Sequence, residues 1–297
     1  MTSAQDLDAH ARAASLAAGL PPVLADARRL AATVALGDHG RRKPGRGDEF
    51  WQFRPAQPGD PRRMIDWRRS ARSDQHFVQD KEWQSAQSVW LWVDQGRSMQ
   101  FSSDAGKLRS KGHFATVLGL ALAMLLIRAG ERVGLAGAAP LPPASGNTQL
   151  AKITDALLAA DPNAPDYGTP DFGAPAKGGN LVVISDFLED PETLNAQMSI
   201  AGAKGISGTL LQVLDPQEQS FPFRGRIIFE SMGQSIRHET RQAKSIRSLY
   251  QAKLAEHRAK LAALSARWQW PLKLTLTDQS QAAALLWLIQ SVEHRTR

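Results

Sequence analysis

Uninterrupted apolar runs alternate with segments of helical periodicity along most of this chain. The runs at residues 89–93 and 180–186 are typical of strands buried on both faces, as in the middle of a parallel sheet. Further strands are predicted at 132–137, 206–214, 226–230 and 272–277. Helices are predicted at 107–129, 148–159, 191–204, 236–268 and 281–293. This alternation predicts an α/β fold with a doubly wound, mostly parallel sheet that helices cover on both faces.

The first part of the chain departs from this alternation. Two helices are predicted within residues 5–35, separated by Pro21 and Pro22, and a glycine-rich basic loop follows at 37–47. Short extended segments at 50–53 and 75–84 then predict a small β-rich element. The sequence therefore indicates an N-terminal extension of helices, basic loop and β-rich segments at residues 1–87. The α/β domain follows at residues 88–297 and includes a long C-terminal helix.

The composition is that of a soluble globular protein, with 42% apolar and 22% charged residues in a chain of 297. The apolar stretch at 117–127 is too short to cross a membrane, and the N-terminus lacks the basic start and apolar run of a secretory signal. We therefore expect a cytoplasmic protein without a membrane span. The absence of cysteine excludes disulfides, thiolate metal sites and cysteine nucleophiles. No pattern in the sequence fixes the oligomeric state.

Local signatures of catalysis are absent from the sequence. It contains no Gly-x-x-x-x-Gly-Lys phosphate loop, no Gly-x-Ser-x-Gly nucleophile elbow and no His-Glu-x-x-His zinc helix. The seven histidines are scattered, and no pair has the spacing of metal ligands. We therefore expect a protein that is not an enzyme and has no catalytic residues.

Polar residues follow the two strongest predicted strands. Asp94 and Ser98 come directly after the run at 89–93, and Asp186 ends the run at 180–186. The carboxyl ends of parallel strands meet at one edge of an open α/β sheet, where ligands bind. The pattern Asp-x-Gly-x-Ser at 94–98, with Gly-Asn-Thr at 146–148 and Ile-Ser-Asp at 184–186, resembles von Willebrand factor A domains. In those domains Asp-x-Ser-x-Ser, a threonine and a second aspartate hold a divalent metal.

This resemblance implies a von Willebrand factor A-like, Rossmann-like fold and a metal ion-dependent adhesion site. The ligands carried over to this chain are Asp94, Ser98, Thr148 and Asp186. Such hard oxygen ligands suit Mg²⁺ or Mn²⁺ completed by water. Gly96 stands where the family has its first serine, and this removes one hydroxyl ligand. Without a metal, the two aspartates would cap helices or pair with an arginine.

A second resemblance extends over roughly residues 40–295. The segments Gly45-Arg-Gly-Asp-Glu-Phe50 and Arg63-Met-Ile-Asp-Trp-Arg68, with later Leu-Asp-Pro-Gln-Glu at 214–218, are similar to the bacterial family called domain of unknown function 58. Members of that family often pair with MoxR-type AAA+ ATPases. The residues that carry the motif in this chain are Glu49, Arg54, Asp60, Arg63, Asp66, Trp67, Arg68 and Arg72.

Two interpretations of this Arg/Asp/Trp motif remain open. It could be a recognition surface for a partner, or an internal set of arginine–carboxylate pairs with an indole packed on a guanidinium. The resemblance implies a protein-interaction adaptor that uses the metal-site edge and binds a MoxR-like AAA+ ATPase or that ATPase's client.

The formal charge of +7 suggests an alternative function. The basic loop at 41–72 and the basic face of the helix at 236–268 could bind nucleic acid or an anionic surface. Because acids interleave with the bases in the loop, and because a basic helix face opposite an apolar stripe is usually solvated, we expect nucleic acid not to be the partner.

Overall fold

The structure is a computed structural model that describes residues 21–37, 50–56, 65–71, 75–81, 87–159, 161, 163–175, 179–225, 227–230, 232, 237–240 and 243–293. The described chain divides into two compact units. The first holds the described residues up to Gly37 and from Gln87 onward, and the second holds those between Asp38 and Ala86.

A six-stranded sheet forms the centre of the first unit. Its strands are β3 (Ser88–Val93), β4 (Arg132–Leu135), β5 (Leu141–Ala144), β6 (Asn180–Ser185), β7 (Ser207–Leu214) and β10 (Leu272–Leu276). Their order across the sheet is β10-β7-β6-β3-β4-β5. All neighbouring strands are parallel except β4 and β5, which are antiparallel. This topology confirms the predicted α/β fold with a mostly parallel sheet.

Helices cover both faces of this sheet. They are α1 (Pro22–Gly37), α3 (Lys111–Arg128), α4 (Asn147–Leu158), α5 (Pro191–Ala203), α7 (Ala243–Trp268) and α8 (Gln281–Glu293). The short helix α6 (Pro216–Ser220) follows β7 and has no buried residue. The helix α2 (Trp67–Ser70) and the strands β1 (Phe50–Pro55) and β2 (Phe77–Lys81) belong to the second unit. A two-stranded antiparallel hairpin of β8 (Ile227–Glu230) and β9 (Arg237–Thr240) completes the described elements.

Successive side chains of the central strands enter different cores, because a strand turns alternate residues to opposite faces. In β3, Val89, Leu91 and Val93 pack with α1, α3, α4 and α8. Trp90 and Trp92 pack with α5, α7 and Trp270 on the other face. The uninterrupted apolar runs of the sequence therefore correspond to strands buried from both sides.

α1 has a position that the sequence did not predict. It was assigned to the N-terminal extension at 1–87, whereas the structure packs it in the first unit. Its apolar stripe of Leu24, Ala27, Ala31 and Val34 is buried in the same core as α3. α3 is apolar on all sides, so a second layer of helix is needed to bury its outer face.

The long helix begins later than predicted. A helix was expected from residue 236, but Arg237–Thr240 forms β9, which pairs with β8 from Ile227↔Thr240 to Glu230↔Arg237. α7 starts at Ala243. The strand β5 was also missed, since Pro142 and Pro143 argue against a strand. Proline is tolerated there because β5 is the edge strand of the sheet.

Among the described residues, α3 is the one helix long and apolar enough to cross a membrane, which the sequence analysis had not expected. Of its 18-residue window, 72% is buried inside the protein. α3 is buried in the core between the sheet and α1.

Candidate functional site at the carboxyl edge of the sheet

Asp94 and Asp186 lie at the carboxyl ends of the neighbouring strands β3 and β6. After β3 the chain adds β4 and β5 on one side, and it then adds β6, β7 and β10 on the other. The gap between β3 and β6 is therefore the point where the strand order reverses, the usual position of a ligand site in an open α/β sheet. Asp94 is 2% exposed and Asp186 is 1% exposed.

Hydrogen bonds from its immediate surroundings hold the Asp94 carboxylate. Its Oδ1 accepts from the Gly96 backbone N–H over 2.7 Å, and its Oδ2 accepts from the Ser185 hydroxyl over 2.6 Å. Ser185 Oγ in turn accepts from the Phe187 N–H over 2.9 Å. Burial, and then the nearby Asp186 charge, raise the pKa of Asp94 to about 6 in spite of these bonds.

The cation of this site is Lys111, a residue that the sequence analysis did not select. Its Nζ donates to Asp186 Oδ2 over 2.9 Å and to Glu218 Oε1 over 2.7 Å, and its side chain is fully buried. Burial alone would lower the pKa of Lys111, but Asp186 and Glu218 together raise it. Lys111 therefore stays charged and balances the carboxylates around it.

Local sequence explains how Lys111 and Glu218 reach the site. Lys111 is the first residue of α3, and Ser110 caps that helix by accepting from the His113 N–H. Glu218 lies in α6, where it forms a capping box with Asp215. A lysine that opens an apolar helix, and the Asp-Pro-x-Glu start of α6, are the sequence signals that could have identified both.

Ser98 lies in the 3-10 turn Arg97–Gln100 that follows Asp94. Its backbone N–H donates to the Asp166 carbonyl over 2.7 Å. Its Oγ is buried and has no hydrogen-bond partner among the residues that the structure describes. Of the proposed ligands, Ser98 therefore has the one hydroxyl still free to bind something at this edge.

The structure does not bring Thr148 to the two aspartates. Thr148 is exposed at the start of α4, and the adjacent Gln149 amide donates to the Val133 carbonyl at the amino end of β4. The other end of α4 approaches the site, since Gln95 Nε2 donates to the Leu157 carbonyl over 3.3 Å. With a rise of about 1.5 Å per residue, Thr148 and Leu157 lie about 13 Å apart along the axis of α4. α4 thus carries Thr148 to the opposite edge of the sheet.

Backbone from residues 165–168 fills the space beside Asp94. The Arg97 N–H donates to the Pro165 carbonyl over 2.8 Å. A Cβ on Gly96 would lie 2.5 Å from the Gly168 nitrogen, and a Cβ on Gly168 would lie 1.9 Å from Asp94 Oδ1. Close packing therefore requires glycine at both positions. Gly96 leaves room for the backbone of Gly168, besides lacking the hydroxyl of the family's serine.

The described residues do not fit the divalent metal site that the resemblance implies. The cavity beside Ser185 and Asp186 has a volume of about 10 Å³, roughly the space of one water molecule. Lys111 already provides positive charge to Asp186, Gly96 offers no hydroxyl, and Thr148 is remote. Within the described part of the chain, no group of three or more His, Cys, Asp or Glu side chains is placed to hold a metal ion.

A larger pocket lies next to this cluster. It has a volume of about 220 Å³ and is lined mainly by apolar and aromatic side chains. Those side chains are Phe101, Tyr167, Leu188, Phe221, Phe223, Met232 and Tyr250. Ser98, Asp166, Gln217 and Glu218 provide the polar part of the lining. The Tyr250 hydroxyl donates to the Glu218 carbonyl over 2.7 Å, which fixes one wall of the pocket.

The Arg/Asp/Trp motif lies in the second unit and is only partly described. Glu49, Asp60, Arg63 and Arg72 lie outside the described residues, and Arg54 is described only as part of the β1 backbone. Asp66 is half-buried, and its N–H donates to the Phe77 carbonyl over 2.9 Å. Arg68 is exposed. Trp67 is 56% exposed and makes an edge contact with His76 at 5.5 Å between ring centroids.

Comparison with known families identifies the chain. Residues 52–260 match the family described as Protein of unknown function DUF58. The chain belongs to this family. Three curated relatives, including Uncharacterized protein Mb1516 of Mycobacterium bovis and Uncharacterized protein Rv1480 of Mycobacterium tuberculosis, are 26% identical over 270 residues. The matched region covers 87% of this chain and 84% of each of these relatives.

Two solved structures are also similar to this DUF58 chain. The conserved hypothetical protein BatB from Bacteroides thetaiotaomicron has a TM-score of 0.39 and 16% identity, covering 71% of this chain and 99% of that one. An aerotolerance-related membrane protein from Bacteroides fragilis has a TM-score of 0.45 and 17% identity, covering 70% and 100%. The description of the second protein contradicts the cytoplasmic location expected from the sequence, and that expectation is withdrawn.

Proposed function

We propose that this DUF58 chain is a non-enzymatic adaptor of the von Willebrand factor A type. In this proposal it binds a partner protein at the carboxyl edge of its sheet. The observation that carries the proposal is the aromatic pocket beside Lys111, Asp186 and Glu218. A partly enclosed pocket with an apolar wall and a few fixed polar groups suits an anchoring side chain of a partner.

The partner proposed from the family resemblance is a MoxR-type AAA+ ATPase or that ATPase's client. The chemistry of the pocket is consistent with a protein ligand. Its aromatic rings offer a large apolar contact area, while Ser98 Oγ and the Gln217 side chain are polar groups able to fix the orientation of a bound peptide.

In this proposal the adaptor does not use a divalent cation. The Lys111 ammonium supplies positive charge to Asp186 and Glu218, and it holds β6 and α6 together from the start of α3. Partner binding should therefore persist in the presence of a chelator.

A binding titration with the purified ATPase tests the proposal. The full chain and a MoxR-type AAA+ ATPase of the same organism are titrated with and without chelator. Phe223→Ala should weaken binding at least tenfold, because truncating a central aromatic anchor removes more than about 1.4 kcal/mol. Ile200→Ala, an exposed apolar residue on α5, is the matched control and should leave the affinity unchanged.

Three results would count against the proposal. They are the absence of binding, equal affinity of the Phe223→Ala variant, and loss of binding on chelation. The alternative of nucleic-acid binding gives a different signature in the same experiment, because affinity for phosphates falls steeply as salt rises. On α7 the described basic face is partly neutralised, since Glu256 pairs with Lys253 at 3.3 Å and Lys260 at 3.0 Å.

A further inference from the structure

A second cavity opens between α1, α3 and α8, next to the carboxyl end of β10. Its volume is about 470 Å³, and none of the described residues that line it also lines the aromatic pocket. Its lining is mostly polar, in contrast to that pocket. The function proposed above does not use this cavity.

The lining of this cavity is rich in cations. Arg29, Lys107, Arg109 and His113 line it, and Asp26 is the one acidic side chain among the described residues of the lining. Asp26 accepts from Arg29 and lies 3.1 Å from His113 Nε2. Lys107 also pairs with Asp104 at 3.8 Å. Among the described residues, two carboxylates therefore face three permanently charged cations and a histidine, which leaves an excess of positive charge at the cavity.

Two long helices, α3 and α8, begin at this cavity. α3 starts at Lys111 behind its cap Ser110, and α8 starts at Gln281. The Gln281 side chain, which lines the cavity, donates to the Phe114 carbonyl over 3.3 Å and so ties the two helix starts together. In α3 the His113 N–H donates to the cap Ser110 and the Lys111 N–H donates to the Phe101 carbonyl. The start of α3 therefore adds to the attraction for an anion through its partial positive charge.

Thr277 provides an independent indication of a ligand. It lines the cavity directly after β10, and it is 8% exposed. Its backbone N–H is used, since it donates to the Leu214 carbonyl over 3.0 Å. Its hydroxyl has no hydrogen-bond partner within the described part of the chain. A buried hydroxyl without a partner is destabilising, and a ligand oxygen at the floor of the cavity would accept its hydrogen bond.

We propose that this cavity binds the phosphate group of a small molecule. The Thr277 hydroxyl and the first turn of α8 contact the phosphate oxygens, and Arg109, Arg29 and Lys107 neutralise its charge. A volume of about 470 Å³ exceeds that of a phosphate ion, and it falls in the range of pockets that hold small organic ligands, so the phosphate can carry a substituent.

Calorimetric titration of the full chain tests this proposal, with inorganic phosphate in one arm and adenosine monophosphate in the other. Saturable binding is expected in at least one arm. Tighter binding of the monophosphate would identify an organic phosphate as the ligand, and equal binding would identify the free ion. Absence of binding of both probes at millimolar concentration would overturn the proposal.

Variants separate the site from general charge attraction. Thr277→Val keeps the shape and removes the hydroxyl, so it should weaken binding about tenfold, whereas Thr277→Ser should bind as the parent chain does. Arg109→Gln, on the surface, should weaken binding by a similar factor. Lys253→Gln makes the same change of charge on α7 and should have no effect.

Thermal melting of each variant shows that it is folded. If Thr277→Val proves unstable, Arg109→Gln alone decides. Parent affinity in Arg109→Gln, or equal weakening by Lys253→Gln, would show that no built site exists.

Discussion

Lys111 Nζ donates to Asp186 Oδ2 over 2.9 Å, and neither side chain is more than 2% exposed. This bond joins the first residue of α3 to the end of β6. The same ammonium reaches Glu218 of α6, so one cation connects three elements at the carboxyl edge of the sheet. In the interior, removing one partner of such a group leaves the others charged and poorly solvated.

Lys111→Met should therefore lower the free energy of unfolding by about 3–5 kcal/mol, because Asp186 and Glu218 lose their cation. Urea denaturation followed by circular dichroism measures the change. Lys107→Met is the control, since Lys107 is exposed and its pair with Asp104 is long, at 3.8 Å. This change should alter the free energy of unfolding by less than about 0.5 kcal/mol. Equal stability of the Lys111→Met variant and the parent would refute the structural role of this cation.

The raised pKa of Asp94 predicts that stability falls as pH rises through mildly acidic values. The pKa is 3.8 for an ordinary aspartate and about 6 in the folded chain. Between these values the folded state holds a proton that the unfolded state has lost, so the free energy of unfolding decreases with pH. The free energy of unfolding is therefore lower by about 3 kcal/mol above about pH 6 than below about pH 4.

Asp94→Asn removes this titration and should flatten that part of the stability profile. Urea denaturation at a series of pH values, compared with the parent, gives the difference in slope. Asp278→Asn, at an exposed position, serves as the control and should keep the parent's slope. An unchanged slope in Asp94→Asn would mean that the Asp94 carboxyl titrates normally.

Gly96→Ser should destabilise the chain, although it restores the serine of the A-domain pattern. The new Cβ would lie 2.5 Å from the Gly168 nitrogen, which is backbone and cannot rotate away. Overpacking of this kind costs about 1–3 kcal/mol. At Gly106 a Cβ would lie 3.5 Å from the Asp104 side chain, so Gly106→Ser is the matched control. A Gly96→Ser variant as stable as the parent, measured by thermal melting, would show that residues 167–168 move easily.

Trp67→Ala tests the two interpretations of the Arg/Asp/Trp motif. Trp67 is 56% exposed, so its truncation should change the free energy of unfolding by less than about 1 kcal/mol. Affinity for the ATPase partner should fall if the motif is a recognition surface. A loss of stability above about 2 kcal/mol with unchanged affinity would instead support the internal role.

The sequence predicted the central strands accurately. Because these strands are buried on both faces, their central positions are all apolar, and this produces a short uninterrupted apolar run. Residues 89–93 and 180–186 correspond to β3 and β6 almost residue for residue. It predicted less well wherever an element depends on a distant partner. β9 forms because β8 is available to pair with it, and no local signal in Arg-His-Glu-Thr specifies that choice.

The candidate site shows the same division. The sequence by itself determined that Asp94 and Asp186 each end a buried strand, since the apolar runs fix where each strand stops. Only the tertiary structure decided what accompanies them. Lys111 approaches Asp186 from 75 positions away and Glu218 from 107 positions away. Thr148 lies far from the two aspartates because β5 runs antiparallel to β4 and ends at the amino edge of the sheet, where α4 begins. The end of a strand is set by local burial, which the sequence pattern shows. The pairing of charges depends on which distant segments the fold brings together, and no local pattern shows that.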